Sequence, residues 1–250
     1  MNIIFTTRSI FTAVMILFSI QSIAKVKFEV INVKEKVAIL KIVERIEHEE
    51  DIEFISEYNK LVTAGYKLKL NAVVLDSAGG NGYSAKRIGD FVREKKLNTY
   101  VASNANCASA CVDVLIGGVV RMAYGRIAVH RTTFGAEYPA DKLEKALRDA
   151  DKRISEYVQA MGISSLLTDA ILNTPNWATR ELDDKERRRW GVHGTERMFE
   201  EMWFRKTAIE TNLTLDEVQK AFYQHVSECK TPPMNFEMTM WDCVKGKIKR

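Results

Sequence analysis

The run Ala72-Val73-Val74-Leu75 constrains the fold of this chain more than any other stretch. It is apolar at every position, of strand length, and bounded by Asn71 and Asp76. A strand with one wet face alternates apolar and polar residues. A strand with no alternation is buried on both faces, which is how parallel strands of α/β proteins read. Both faces then need helices to cover them, and helical patterns do flank this run.

Residues 26–31 alternate and residues 37–42 are largely apolar, so both read as strands. His48-Glu49-Glu50-Asp51 opens a helix with acids at the positive end of its dipole, and Gly65 ends it. His48 sits among charges and is expected at the surface. After residues 72–75 come a turn over 76–82 and a helix from Tyr83 to about Lys95, with Ala85, Ile88, Phe91 and Val92 on one face. A short strand over 98–102, a small-residue turn and a helix over 109–116 follow, stopped by Gly117-Gly118. Residues 119–123 and 127–130 make two more strands around Tyr124-Gly125. Alternating strand and helix argues for an α/β domain with βαβ connections.

The clearest helix spans 141–161, with a stripe of Leu143, Ala146, Leu147, Ala150, Ile154, Tyr157, Val158 and Met161. Such a stripe serves core packing or, alternatively, an oligomer contact. A shorter helix over 164–172 precedes Pro175. A polar helix over 183–190, which carries Arg187-Arg188-Arg189 on a solvated face, leads to Gly191-Val192 as the last core strand. Thr214-Leu215-Asp216-Glu217 is a capping-box signature for a helix to about His225. The tail holds Pro232-Pro233 and a basic end. The expected organisation is an α/β domain over 25–195 and a helical C-terminal extension over 196–250.

The 250 residues, 46% hydrophobic and 28% charged, suffice for one globular domain with a sizeable core. The formal charge of +4 is spread along the chain, so nothing calls for nucleic acid. Residues 1–24 read as a secretion signal: Arg8 in the n-region, an apolar stretch over 10–20, and Ser22-Ile23-Ala24 as a cleavage site before Lys25. The apolar stretch falls short of the roughly 20 residues a membrane-spanning helix needs. An uncleaved segment is the alternative, and the one expected membrane contact. The chain is expected to be periplasmic or secreted, where cysteines meet an oxidising compartment.

The four cysteines fall as two local pairs, Cys107/Cys111 and Cys229/Cys243. Local pairing is the simplest connectivity, with buried free thiols at Cys107 and Cys111 the alternative. Their spacing is not that of a redox or zinc motif and no histidine cluster lies nearby, so no metal or cofactor is called for.

Cys107-Ala108-Ser109-Ala110-Cys111 places a serine among small residues where a helix begins. A serine hydroxyl is a poor nucleophile until a neighbouring base takes its proton. Of the histidines, His130 ends an apolar strand in the same segment, whereas His193 follows the apparent close of the core and His225 lies on the extension. The oxyanion of an acyl-transfer step needs N–H donors. Gly79 and Gly80 in the upstream turn, and Ala110 directly after the serine, are placed to supply them.

The ordered motifs Leu75-Asp76-Ser77-Ala78-Gly79-Gly80, Cys107-Ala108-Ser109-Ala110-Cys111 and Val129-His130 resemble the Clp protease proteolytic subunit within the crotonase-like superfamily. The resemblance covers about residues 26–192 and is nearest to secreted or periplasmic ClpP-like proteins with a C-A-S-A-C box. It implies a ββα superhelix, Ser109 as nucleophile, His130 as general base, and Gly80 and Ala110 as oxyanion donors. It also implies a homo-oligomer acting on a peptide or ester substrate.

The chain departs from the family pattern in three places. Ala78 stands where proline is usual, the Ser109–His130 interval is shorter, and the position of the triad acid falls on Pro175. Asn173 and Asn176 flank it; Asn176 could orient the imidazole, and Asp169 lies too early in the helix. The expected function is an exported serine hydrolase of peptidase type, with a Ser-His dyad or an incomplete triad. The alternative is a catalytically degenerate binding or scaffold protein on the same fold; acyl-CoA chemistry is disfavoured for an exported chain.

Overall fold

A computed structural model describes residues 26–135, 138–229 and 240–248. The expected signal segment and Pro232-Pro233 lie outside these residues. The first strands, β1 (Val26–Asn32) and β2 (Val37–Ile46), form an antiparallel pair. Helix α1 (Glu50–Thr63) follows and buries Phe54 and Leu61. Asp51 in its first turn is buried and reaches the Arg87 guanidinium at 2.6 Å, so the acid expected merely to favour the helix dipole also ties α1 to the next helix.

Strand β3 (Lys67–Gly80) is the axis of the sheet and longer than the apolar run at its centre. The turn expected from Asp76 is absent, because β3 continues as strand to Gly80. Parallel pairing explains the continuation: Asp76, Ser77, Gly79 and Gly80 register against Val43, Glu44, Arg45 and Ile46 of β2. Leu70 and Asn71 take positive φ (57° and 48°) where the β2–β3 register shifts, which lets a polar start join a buried middle.

On its other edge β3 forks. Ala72, Val73 and Val74 pair with β4 (Asn98–Val101), and beyond them Ser77 pairs with Cys107 of β5 (Asn106–Ala108). Each branch then adds one parallel strand: β4 pairs with β6 (Val120–Ala123) and β5 with β7 (Arg126–Val129). Two short antiparallel strands close the branches, β8 (Arg180–Glu181) on β7 and β9 (Gly194–Thr195) on β6. Strand β5 stands where the sequence predicts a turn, and β8 lies in a stretch with no predicted element. The last core strand lies at Gly194–Thr195, not at Gly191-Val192, because Gly191 takes φ 85° and caps the preceding helix.

Helices α2 (Gly82–Glu94) and α3 (Ala110–Gly117) pack side by side over the sheet. The two approach so closely that a Cβ on Gly117 would meet the Gly89 carbonyl oxygen at 2.4 Å. Arg93 fixes their far ends, donating to the carbonyls of Ile116 (3.0 Å) and Met161 (3.1 Å). The long helix α4 (Ala140–Ala160) buries Ala150, Tyr157 and Val158 but leaves Leu143, Ala146 and Leu147 half-exposed, so its stripe enters the core only in its second half. Helix α5 (Ser165–Asn173) and α6 (Asp184–Trp190) complete this side, α6 with a full Asp183–Glu186 capping box. The class is mixed α/β, as expected from the alternation.

Three further helices, α7 (Arg197–Thr211), α8 (Leu215–Cys229) and α9 (Met240–Ile248), have a cluster of their own around Phe204, Val218, Phe222 and Val244. Thr214 and Glu217 exchange the reciprocal bonds of the expected capping box (Glu217 N–H to Thr214 Oγ1, 3.3 Å; Thr214 N–H to the Glu217 carboxylate, 2.8 Å). Cys229 and Cys243 form a disulfide, as do Cys107 and Cys111. Among the described residues no helix is long and apolar enough to cross a membrane.

Candidate active site

The fork in β3 creates the site. Where β4 and β5 diverge, β5 turns sharply into α3 and Ser109 occupies the corner. Its backbone sits at φ 54°, ψ −127°, a region that L-residues other than glycine rarely visit. The corner is held from several sides. Ser109 N–H donates to the Ala128 carbonyl of β7 (2.9 Å), its own carbonyl accepts from Val112 N–H (2.9 Å), and the Cys107–Cys111 bridge spans it with Cα atoms 5.2 Å apart. The Ser109 hydroxyl makes no capping bond, so it is not committed to the helix start. A strained strand-to-helix turn of this kind can present a hydroxyl to a cleft.

Gly79 and Gly80 lie against that corner at φ 93° and 142°. A Cβ on Gly79 would stand 2.5 Å from the Ala108 carbonyl oxygen, 2.7 Å from Ser109 Cβ and 2.8 Å from Ala110 N; one on Gly80 would stand 2.0 Å from the Ile46 carbonyl oxygen. Glycine is therefore required at Gly79 for strand and corner to touch, and at Gly80 for β3 to lie against β2. Gly79 N–H donates to Ser77 Oγ at 3.1 Å, and Gly79 does not line the cavity beside the serine. Gly80 and Ala110 do line it. Ala110 is the first residue of α3, so its N–H has no acceptor inside the helix.

The cavity measures about 120 Å³ and is lined by Ser109, His130, Asp113, Gly80, Ile154 and Ile171, among others. That is the room of one side chain, not of an extended ligand. Ser109 and His130, expected as a pair, thus share one cleft. Among the described residues no hydrogen bond joins their side chains.

His130 follows the last residue of β7, and its Nδ1 lies 2.8 Å from the carbonyl oxygen of Arg131. A carbonyl oxygen can only accept, so Nδ1 carries a proton, and in the neutral ring the lone pair is on Nε2. The carbonyl is itself held in place. Arg131 N–H donates to the Thr174 carbonyl (2.9 Å), and the Arg131 guanidinium forms a two-pronged ion pair with Asp151 on α4, Nε to Oδ1 at 3.2 Å and Nη2 to Oδ2.

Asn173 ends α5 and Asn176 follows Pro175; both are exposed, and among the described residues neither bonds to His130. Their segment does touch the site, through the Thr174 carbonyl that receives Arg131. Asp169 is exposed on α5. His193 lies elsewhere: its Nδ1 is 3.2 Å from Ala123 N, and burial, followed by the charge of Arg188, lowers its pKa. His48 is exposed, and His225 pairs with Glu228 on α8.

Asp113, Arg131 and Asp151 are not among the site residues expected from sequence. A signal for Asp113 exists, since it is the lone charge in the apolar run from Ala110 to Ile116. For Arg131 none exists, because its part is played by a main-chain oxygen.

No protein-family model matches the chain, and no curated protein matches it. Among solved structures it is similar to a mutant ClpP1 from Listeria monocytogenes, 17% identical, with a TM-score of 0.47, over 64% of this chain and 90% of that one.

Proposed function

We propose that this chain is an exported serine hydrolase of peptidase type with a ClpP-like fold. The observation that carries the reading is the strained, disulfide-spanned corner at Ser109, which opens on the same 120 Å³ cleft as His130. Ser109 Oγ attacks the substrate carbonyl while its proton passes to His130 Nε2. The oxyanion is received by the N–H groups of Ala110 and Gly80, with the positive end of α3 behind them. The tetrahedral intermediate collapses as His130 returns the proton to the leaving amine or alcohol. Water, deprotonated by the same nitrogen, then releases the acyl group and restores the serine.

The Arg131 carbonyl takes the place of a third carboxylate. It sets the tautomer and ring orientation as an acid would, but offers a dipole instead of a full charge to the imidazolium that forms. A rate below that of a complete triad is the consequence. Two disulfides fit an oxidising compartment, which supports removal of residues 1–24 and a periplasmic or secreted chain. The half-exposed Leu143, Ala146 and Leu147 on α4 support a homo-oligomer.

A fluorophosphonate probe tests the activity. Wild type is expected to be labelled at one site, with labelling abolished in Ser109→Ala and reduced at least 100-fold in His130→Ala, in line with the usual contribution of a general base. Absence of labelling in the folded wild type leaves the second reading, a binding or scaffold protein with a degenerate site. The missing Ser109–His130 hydrogen bond is what favours that reading.

A further inference from the structure

Every residue of α3 is buried but Asp113, which is half-buried and lines the cleft of Ser109 and His130. It stands one helical turn beyond Ser109, about 6 Å along the axis. Among the described residues its carboxylate accepts no hydrogen bond and forms no ion pair. The bond at Asp113 comes from Tyr157 Oη and goes to its backbone carbonyl (2.8 Å), which fixes the main chain and leaves the acid free. Lys86 on α2, whose charge acts on the acid, makes its ion pair elsewhere: its Nζ pairs with Asp90 at 2.7 Å and lies 5.0 Å from the centre of the Tyr157 ring. The remaining walls are apolar or neutral, Ile154 of α4, Ile171 of α5, Val129, and the threonines 132 and 133.

An unpaired carboxylate among apolar and neutral walls is costly without a ligand and complementary to one kind of ligand. The apolar walls suit a methylene stem, and the acid suits a cationic head. The volume, about 120 Å³, admits a single side chain. We propose that Asp113 forms a cation-selective subsite beside Ser109, so that the substrate places a lysine- or arginine-type side chain next to the bond that is cleaved. This rests on the serine hydrolase reading for its substrate, but the cation site itself does not need turnover.

The groups facing Asp113 are Lys86 of α2, Tyr157 of α4 and His130 beyond β7. Burial pushes its carboxyl up to about 7, against the opposing pull of Lys86. Cation binding therefore strengthens as pH rises from 6 to 8, where the acid becomes charged.

The test uses the full chain and n-butylguanidinium, with n-butylurea as the uncharged isostere, in titration calorimetry. Wild type and Ser109→Ala are expected to bind the guanidinium at least tenfold tighter than the urea, with the preference removed in Asp113→Asn and in Asp113→Ala. In wild type alone, the preference should grow from pH 6 to pH 8, which keeps the question decidable whatever the variants' stability. Equal binding of guanidinium and urea, or a preference that survives in folded Asp113→Asn, overturns the subsite. Fluorophosphonate labelling of the same samples separates the two readings. Labelling without cation preference sinks the subsite alone; cation preference without labelling sinks the hydrolase and leaves the subsite standing.

Discussion

His130 Nδ1 and the Arg131 carbonyl oxygen are 2.8 Å apart, so the imidazole in the candidate site is oriented by the main chain of its own neighbour. Adjacent residues make this bond only if the loop after β7 is bent and held. The holding is done at a distance, by Thr174 at the end of α5 and by Asp151 on α4. Contacts from α4 and the end of α5 thereby set the direction of an imidazole.

Breaking that hold should therefore slow chemistry without weakening substrate binding. Arg131→Ala and Asp151→Asn are each expected to lower kcat about tenfold with KM little changed, the pattern of a positioning group. Asp151→Glu should recover part of the loss. Steady-state kinetics on an ester substrate reads both constants, and a rise in KM with kcat intact would contradict the assignment.

The strain at Ser109 makes an unusual stability forecast. At φ 54°, ψ −127° glycine is at ease, whereas alanine carries the same penalty as serine. Ser109→Gly should be more stable than Ser109→Ala by about 1 kcal/mol, a Tm difference of roughly 2–4 °C for a chain of this size. Thermal unfolding of the two inactive variants side by side decides it. Equal melting temperatures would mean the corner stores no strain.

The two disulfides should behave differently on removal. By loop-closure entropy the Cys107–Cys111 bridge contributes roughly 2 kcal/mol and the Cys229–Cys243 bridge about 3 kcal/mol. Only the first spans the Ser109 corner. Replacing Cys107 and Cys111 by serine is expected to cut the fluorophosphonate labelling rate severalfold, because the turn can relax. The same change at Cys229 and Cys243 should lower Tm and leave labelling as it was. A comparison of labelling rates at a temperature where both variants are folded checks this.

Asp113 links stability to pH. Its carboxyl rises from 3.8 to about 7 on folding, through burial. Between those values the folded chain keeps a proton that the unfolded chain has released. Its contribution to stability is thus complete below about pH 4 and declines as pH rises toward 7, with no further change above. Asp113→Asn should remove that decline. Urea unfolding of both proteins at pH 5 and pH 8 measures it: the wild-type loss across this interval is expected to exceed that of the variant.

Much of this architecture can be read from local pattern. The unbroken apolar run over 72–75 requires a strand buried on both faces, and the helical stripes that cover it recur in order. The Thr214–Glu217 capping box and the two local cysteine pairs also need only neighbouring residues. So does the placing of Ser109 at a helix start, since small side chains on both sides leave room for a turn. These features depend on propensity and periodicity within a few positions, which the chain carries wherever it goes.

Contacts between distant segments decided the rest. Asp76 to Gly80 has turn composition, yet it is strand because Arg45 and Ile46 of β2 and Cys107 of β5 lie alongside and satisfy its backbone. The strained φ of Ser109 is tolerated because Ala128, Gly79 and a disulfide surround it. The partner of His130 is a carbonyl that every residue possesses, singled out by Thr174 and Asp151 alone. Asp113 reads as one polar residue in an apolar helix until α4 and α5 close a cleft over it. Each is a matter of which backbone and side-chain groups come within a few ångströms across tens of residues, and local pattern holds no record of that.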